Sequence, residues 1–570
     1  MAKKIRIGMC MAGAVSAGAY TAGVMDYFIE ALDRLEEARK TNPALPEVII
    51  DTLSGTSAGG MTAMITAAAL HREMVHIDHT NFRDSEVVKK NPLFQAWINL
   101  TDNDQMTTIE QMCTADDITG TIKDEPIAHS LFNSKFIDDI ANDLVDRIIC
   151  QGNYVERSYV AKDLQIFACM SNLRGFEVAQ VFNSSTAKAK HTMQQHRDLG
   201  HFEVTTNEAA SEGRLPVNFR QPDRLRLQVY RDVAMATGAF PIGLRPRMVK
   251  RPAKVILENE FINPNKAIHL PAEDGTEYTA LMVDGGAFNN EPYDITMKLV
   301  KDRAERNGDY HCVIMIDPIP NLSTTELQLG YKHPEGLVQY GSAIISALRS
   351  ETNCKMPMDQ KDVDSIKDGL FMIKPSRKGA SDVIDNVIAC AALSRFGGFF
   401  SKRFREHDYL LGRRNCKSFL LEHFKMALGD GPAQAVFPLF LFQDEQGLAT
   451  PFGKQYLIPY PKLHSDKLFD FKVLAQSRFE AVLPNVLHPK RAESDVERET
   501  NLLESYLGRP SWFKRKFGEL VAWIVKKMIN RADGFAASAF VEKLTLDLHD
   551  RGQLTRIASE DRDVPPVVEH

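Results

Sequence analysis

The stretch Glu47–Leu70, EVIIDTLSGTSAGGMTAMITAAAL, limits what this chain can fold into more than any other. Its apolar, β-branched run Val48-Ile49-Ile50 reads as a buried strand. Its end, of Ala, Met, Thr and Leu, mostly good helix formers, reads as a buried helix. Between them, Gly55-Thr56-Ser57-Ala58-Gly59-Gly60 has the Gly-x-Ser-x-Gly spacing of a nucleophile elbow, a tight strand-to-helix turn. Such a turn tolerates no bulk beside it, and Gly55, Ala58, Gly59 and Gly60 supply none. Ser57 is then expected at a strained corner at a helix N-terminus, where free N–H groups and the helix dipole favour developing negative charge. The plainer alternative is a Gly/Ser-rich turn without chemistry. The strand before it and the small-residue helix after it argue for the elbow.

The chain opens with a second strand–loop–helix unit. Ile5 to Met11 reads as a strand, and Thr21 to Glu37 as a helix, with Val24, Phe28, Leu32 and Leu35 at helical spacing. The loop between them, from Ala12 to Tyr20, is rich in Gly and Ala, so its backbone N–H groups can crowd around an anion. A dinucleotide loop needs G-x-G-x-x-G. Here Gly13-x-Val15-x-x-Gly18 lacks the middle glycine.

A glycine-rich loop ending in Gly18-Ala19-Tyr20-x-x-Gly23-Val24, followed by Gly55-Thr56-Ser57-Ala58-Gly59, resembles the patatin-like phospholipases. A third signature completes the likeness: the strand-like run Tyr278 to Val283, then Asp284-Gly285-Gly286-Ala287-Phe288-Asn289-Asn290-Glu291-Pro292. Alone, Asp-Gly-Gly is an ordinary turn. Four further segments agree: a helix opening at Leu131-Phe132-Asn133-Ser134 and running to about Ile149, a strand Leu164 to Met170, a small-residue helix with its Phe-Pro turn over Val233 to Pro241, and a strand from Cys312. The resemblance covers roughly residues 5–320. It implies an α/β fold, a three-layer sandwich around a mixed central sheet. It implies hydrolysis of fatty-acyl esters of lipids or phospholipids by a Ser-Asp dyad, with no metal or cofactor. Carried over, Ser57 is the nucleophile and Asp284 its base. The loop Gly13, Ala14 and Val15 forms the oxyanion hole, and Gly55, Gly59, Gly285 and Gly286 are motif positions. The loop departs from the family pattern: Val15 stands where a glycine is usual, which makes a positive φ costly there. The usual basic residue is also absent.

Composition bounds the rest. The chain has 570 residues, 44% hydrophobic and 25% charged, as in ordinary globular proteins. A net charge of −6 argues against a general nucleic-acid binder. Eight scattered cysteines without a C-x-x-C pair read as reduced, buried thiols of a cytoplasmic protein. No stretch of 18 apolar residues is present, and the N-terminal run is read as a strand and loop rather than a cleaved signal. We expect an acyl hydrolase domain over residues 1–325, a mostly helical region over 326–555 and a disordered tail over 556–570. No oligomeric state follows from the sequence. His191, His196 and His201 fall in a polar stretch, Ser184 to Leu225, read as a mobile surface excursion near the site. Their five-residue spacing does not place them on one helix face as metal ligands. Residues 336–352, 382–400 and 415–426 read as helices, 436–442 as a short apolar run, and Arg403 to Asp408 as an exposed, ion-paired helix face. Trp512–Arg531, WFKRKFGELVAWIVKKMINR, is basic and amphipathic with interfacial tryptophans. It fits either peripheral docking on a membrane surface or a helix packed on the protein with a solvated basic face.

Two other functional readings compete. One is an α/β-hydrolase esterase with a Ser-Asp-His triad, its histidine drawn from His311, His333 or His407, which follow Asp284. The other is a non-catalytic lipid-binding or scaffold protein with a decayed site, for which the altered loop is the best support.

Overall fold

The computed structural model describes residues 4–100, 107–182, 189–270, 276–320, 369–377, 387–422, 460–487 and 545–555, apart from 44, 46, 119, 120, 123, 124, 127, 207 and 208. Residues 336–352, the 436–442 run, His333, Trp512–Arg531 and the tail lie outside the described residues.

The strands are β1 (Ile5–Met11), β2 (Val48–Thr56), β3 (Val160–Phe182), β4 (Ala189–Val204), β5 (Leu215–Val217), β6 (Arg247–Pro252), β7 (Ile268–His269), β8 (Glu277–Asp284), β9 (Tyr310–Ile316) and β10 (Leu370–Ile373). They form one ten-stranded sheet in the order β10-β9-β1-β2-β3-β8-β6, with β4 and β7 also paired to β3, and β5 to β4. The run from β10 to β3 is parallel, while β8 lies antiparallel to both β3 and β6. The sheet is mixed, as the resemblance implied. The main helices are α1 (Gly18–Thr41), α2 (Ala58–Ala69), α3 (Lys135–Asp143), α4 (Arg224–Thr237), α5 (Tyr293–Asn307), α6 (Lys402–Glu422) and α7 (Ser465–Leu487). Helices α2 and α4 cover one face of the sheet, with α1 against α2, and α5 covers the β1–β2–β9 region of the other. This makes three layers. Every residue of β2 is buried, which suits a parallel strand covered on both sides.

Two sequence readings change. Residues 189–204 are not an excursion: they form β4, paired with β3 from Gln165↔Glu203 to Phe182↔Ala189. The polar residues misled because the distal part of this long hairpin is solvated, while Leu199, His201 and Phe202 near its base are buried. Nor is Arg403 to Asp408 an exposed face. Arg405, His407 and Asp408 are buried in α6. Arg405 donates to the carbonyls of Ile98 and Gly398, Asp408 accepts from the N–H groups of Ala389 and Cys390, and His407 is bound to Asp408.

Helix α6 lies along α1. A Cβ at Gly23 would sit 1.9 Å from the Tyr409 carbonyl oxygen, and one at Gly412 2.2 Å from that of Tyr20, so the two backbones touch through glycines. Beside this crossing Asp26 is fully buried. It accepts hydrogen bonds from His76 Nδ1 (2.8 Å), Ile77 N (3.1 Å), Asn91 Nδ2 (3.0 Å), Tyr409 OH (2.7 Å) and Arg413. A buried carboxylate is tolerable when it is paired and hydrogen-bonded in this way. Burial alone pushes the His76 pKa down, but Asp26 and Asp33 overturn that and hold it at about 9.

Two predictions follow from this contact. A folded pKa above the unfolded value stabilises fully below the unfolded value, and that contribution is lost as pH rises through the folded one. Unfolding free energy should therefore drop by roughly 1–3 kcal/mol as pH rises from about 6.5 to about 9. His76→Gln should flatten that slope in denaturant titrations. Gly23→Ala should destabilise by about 2 kcal/mol or more, because a methyl is driven into backbone rather than into a flexible side chain. A wild-type midpoint for that variant would contradict the packing described.

Candidate active site

Strand β2 ends at Thr56 and α2 begins at Ala58, so the turn is a single residue, Ser57. Its backbone has φ 57° and ψ −132°. A non-glycine residue there carries strain of about 1–3 kcal/mol and needs its surroundings to hold it. The hold comes from close contact. A Cβ at Gly59 would lie 2.1 Å from the Met11 carbonyl oxygen, and one at Gly55 2.5 Å from the Gly59 backbone. The start of α2 is thus pressed against the end of β1, and Ser57 takes up the bend. Serine at a helix N-cap ordinarily caps the helix. The Ser57 hydroxyl does not, and it makes no hydrogen bond among the described residues. The residue is 8% exposed.

The sheet register brings Asp284 to the same line. Thr56 pairs with Cys169 on β3, so Ser57 stands level with Met170. From the other side, and in the opposite direction, β8 ends with Asp284 paired to Met170. Ser57 and Asp284 therefore flank one residue of β3, with Cα atoms about 10 Å apart at two strand spacings. Beyond Asp284 the chain turns back over β3. A Cβ at Gly285 would meet the Cys169 carbonyl oxygen at 2.3 Å. The segment then reaches β2 and the β1 loop, where Asn289 O accepts from Thr56 Oγ1 (2.7 Å) and Asn290 O from Gly13 N (3.3 Å). Asp284 is 4% exposed, its carbonyl accepts from Ser171 Oγ (2.8 Å), and its Oδ1 accepts from Gly286 N (2.7 Å).

A residue that the sequence did not single out ties the two halves. Thr237 Oγ1 accepts the Ser57 N–H (2.9 Å) and donates to the Cys169 carbonyl (2.7 Å). Two residues later, Ala239 O accepts the Asp284 N–H (2.9 Å). The end of α4 thus clamps Ser57 and Asp284 together. A lone threonine closing a small-residue helix before Gly238 was the available signal.

The loop after β1 approaches from the third side. A Cβ at Gly13 would lie 3.0 Å from Ser57 Cβ. Gly13 gives its N–H to Asn290, whereas the N–H groups of Ala14 and Val15 have no partner among the described residues. Val15 adopts φ 50°, the left-handed region that is costly for a β-branched side chain. Among the described residues no three His, Cys, Asp or Glu side chains converge as a metal site would require. No described helix is long and apolar enough to cross a membrane.

The histidines are dispersed. His311 pairs with Arg6 near the start of β1, at the opposite end of the strands from Gly55, which is level with Met11. Five residues of strand make that about 16 Å. His407 is buried and bound to Asp408 (2.8 Å). His201 is held neutral by burial, its pKa lowered to about 3. His196, on β4, stacks on Phe288 with ring centroids 6.4 Å apart, beside the turn that follows Asp284.

Thr237→Val keeps the shape but removes the hydroxyl, leaving a buried N–H and a buried carbonyl unpaired. Chemical denaturation should show a loss of about 2 kcal/mol, with Thr237→Ser close to wild type. Equal stability of the Val variant would contradict the clamp.

The family model described as patatin-like phospholipase matches residues 9–297, a span that takes in the loop after β1, the Ser57 turn and the Asp284 turn. An uncharacterized protein, y4iI, of Sinorhizobium fredii (strain NBRC 101917 / NGR234) is 31% identical over 467 residues, which cover 73% of this chain. The chain covers 64% of that relative's length. The family is in general one of lipid acyl hydrolases acting on lipid substrates. By its matched residues and its three-layer fold, the chain belongs to the patatin-like phospholipase family.

Proposed function

We propose that this protein is a serine acyl hydrolase that cleaves fatty-acyl esters of lipids or phospholipids through Ser57 and Asp284. The observation that carries the reading is the placement of Ser57 and Asp284 on either side of Met170, with Ser57 strained and its hydroxyl uncommitted. A serine hydroxyl needs a base before it attacks. Asp284 is almost fully buried and is the carboxylate that the sheet register brings level with Ser57. On substrate binding, Ser57 Oγ attacks the acyl carbonyl and its proton passes to Asp284. The oxyanion is met by the N–H groups of Ala14 and Val15 and by that of Ala58, which follows the nucleophile at the N-terminus of α2. Gly13 lets the loop approach Ser57. Backbone donors do not depend on side-chain identity, so the unusual Val15 is compatible with an oxyanion hole. Collapse expels the alcohol or lysolipid, which takes the proton from Asp284. Water activated by Asp284 then releases the fatty acid from Ser57.

The boundary near residue 325, a cytoplasmic location and membrane-surface contact through Trp512–Arg531 belong to the same proposal. The rival triad needs a histidine beside Ser57, and the place of His311 and the burial of His407 speak against those two.

Fatty-acid release from phospholipid vesicles, without added metal, tests the proposal. Ser57→Ala and Asp284→Asn should each lower kcat at least 1000-fold, about 4 kcal/mol of transition-state stabilisation. His196→Ala, His311→Ala, His333→Ala and His407→Ala should each retain release. Loss with one of these, in a protein that still folds, would move the base to that histidine, and equal release from Ser57→Ala would remove the serine mechanism.

A further inference from the structure

The family match ends at residue 297, yet a segment about 100 residues later reaches both ends of the site. On the loop side, Ser16, next to Val15, donates its hydroxyl hydrogen to the Arg395 carbonyl and accepts from Gly398 N (3.0 Å). Arg395 itself takes φ 83°, so the chain turns sharply at this contact. On the Asp284 side, Ala239, which holds the Asp284 N–H, is followed by Phe240. Phe396 joins the two ends, because its ring lies 6.0 Å from that of Phe240, centroid to centroid, nearly perpendicular at 82°. Phe132 and Phe399 stand beside it at 6.1 and 5.7 Å.

The four rings are not equally covered. Phe132 and Phe399 are buried, while Phe240 and Phe396 are only partly so. Beyond Phe240 the apolar surface runs outward through Pro241 to Ile242, which is 83% exposed and held at φ 68°. Residues held at such a φ cluster at binding and catalytic sites. Partly exposed aromatic surface therefore links Phe240, next to Ala239, with the segment held by Ser16, and continues to solvent at Ile242.

We propose that Phe396 and Phe240 form the wall against which the acyl chain of the substrate lies, so that residues 395–398, outside the family-matched span, complete the binding cleft. This rests on the hydrolase reading above. The ligand class is a long, unbranched acyl chain, whose methylenes gain by leaving water for the ring faces. The Ser16 contact also places the wall by the same loop that would hold the oxyanion.

Two measurements on the full chain test it. First, Ser57→Ala protein is irradiated with a diazirine-bearing palmitate and digested with trypsin. Adducts are expected on Phe396–Lys402 and Asp232–Arg247; labelling confined to other peptides, or none, overturns the proposal whether or not the protein hydrolyses esters. Second, kcat/KM is compared for p-nitrophenyl laurate and butyrate in the wild type, Phe396→Asn and Phe396→Leu. The polar variant should lower the laurate-to-butyrate ratio about tenfold, and the apolar one should hold it within about threefold. A polar variant that weakens both esters equally has lost structure rather than an acyl contact, and that result overturns the wall. Absence of Ser57-dependent hydrolysis in the wild type would instead strike at the hydrolase reading, leaving the cross-link to decide the binding surface.

Discussion

The arrangement hangs on one hydroxyl. Thr237 Oγ1 stands between the Ser57 N–H and the Cys169 carbonyl, and so fixes a strained turn on β2 to the central strand β3. The antiparallel arrival of β8 then decides where a carboxylate can stand, because Asp284 must stop beside Met170 for the chain to cross β3 at Gly285. The strain at Ser57 is sustained by contacts with the end of β1, the Gly13 loop and Thr237.

A second constraint links the site to the rest of the chain. Helix α1 carries the loop of Gly13 to Val15 at its N-terminal end, and Asp26 in its middle. Asp26 gathers a histidine, an asparagine, a tyrosine and an arginine, of which the last two come from α6. Glycines at 23 and 412 bring the helices into backbone contact. Buried charges of this kind penalise any looser arrangement, since separation would leave a desolvated carboxylate unpaired. The position of the loop therefore depends on residues far beyond the span that matches the family.

The Ser57 turn was legible because its chemistry demands a backbone shape, and glycines encode backbone shape directly. At Val15 the sequence marked a positive φ as costly, and the chain adopts one there nonetheless. Asp284 was legible only through its place after two other signatures; its proximity to Ser57 depends on register, which no local pattern reveals. Thr237 was not legible, since its role arises where residues 57, 169 and 237 meet. The charged run Arg403 to Asp408 misled for a related reason. Charge in sequence reads as exposure, yet Arg405 and Asp408 are satisfied by backbone groups of Ile98, Gly398, Ala389 and Cys390. The hairpin of β3 and β4 looked polar because only its base enters the core.

The central claim is that Ser57 is a nucleophile. The most direct measurement is covalent labelling with a fluorophosphonate, located by mass spectrometry of the intact chain and its peptides. The account predicts one adduct, on Ser57, which is lost in Asp284→Asn at matched time and pH. An adduct on another serine, or an unmodified Ser57 in a folded protein under conditions that label a known serine hydrolase, would contradict it.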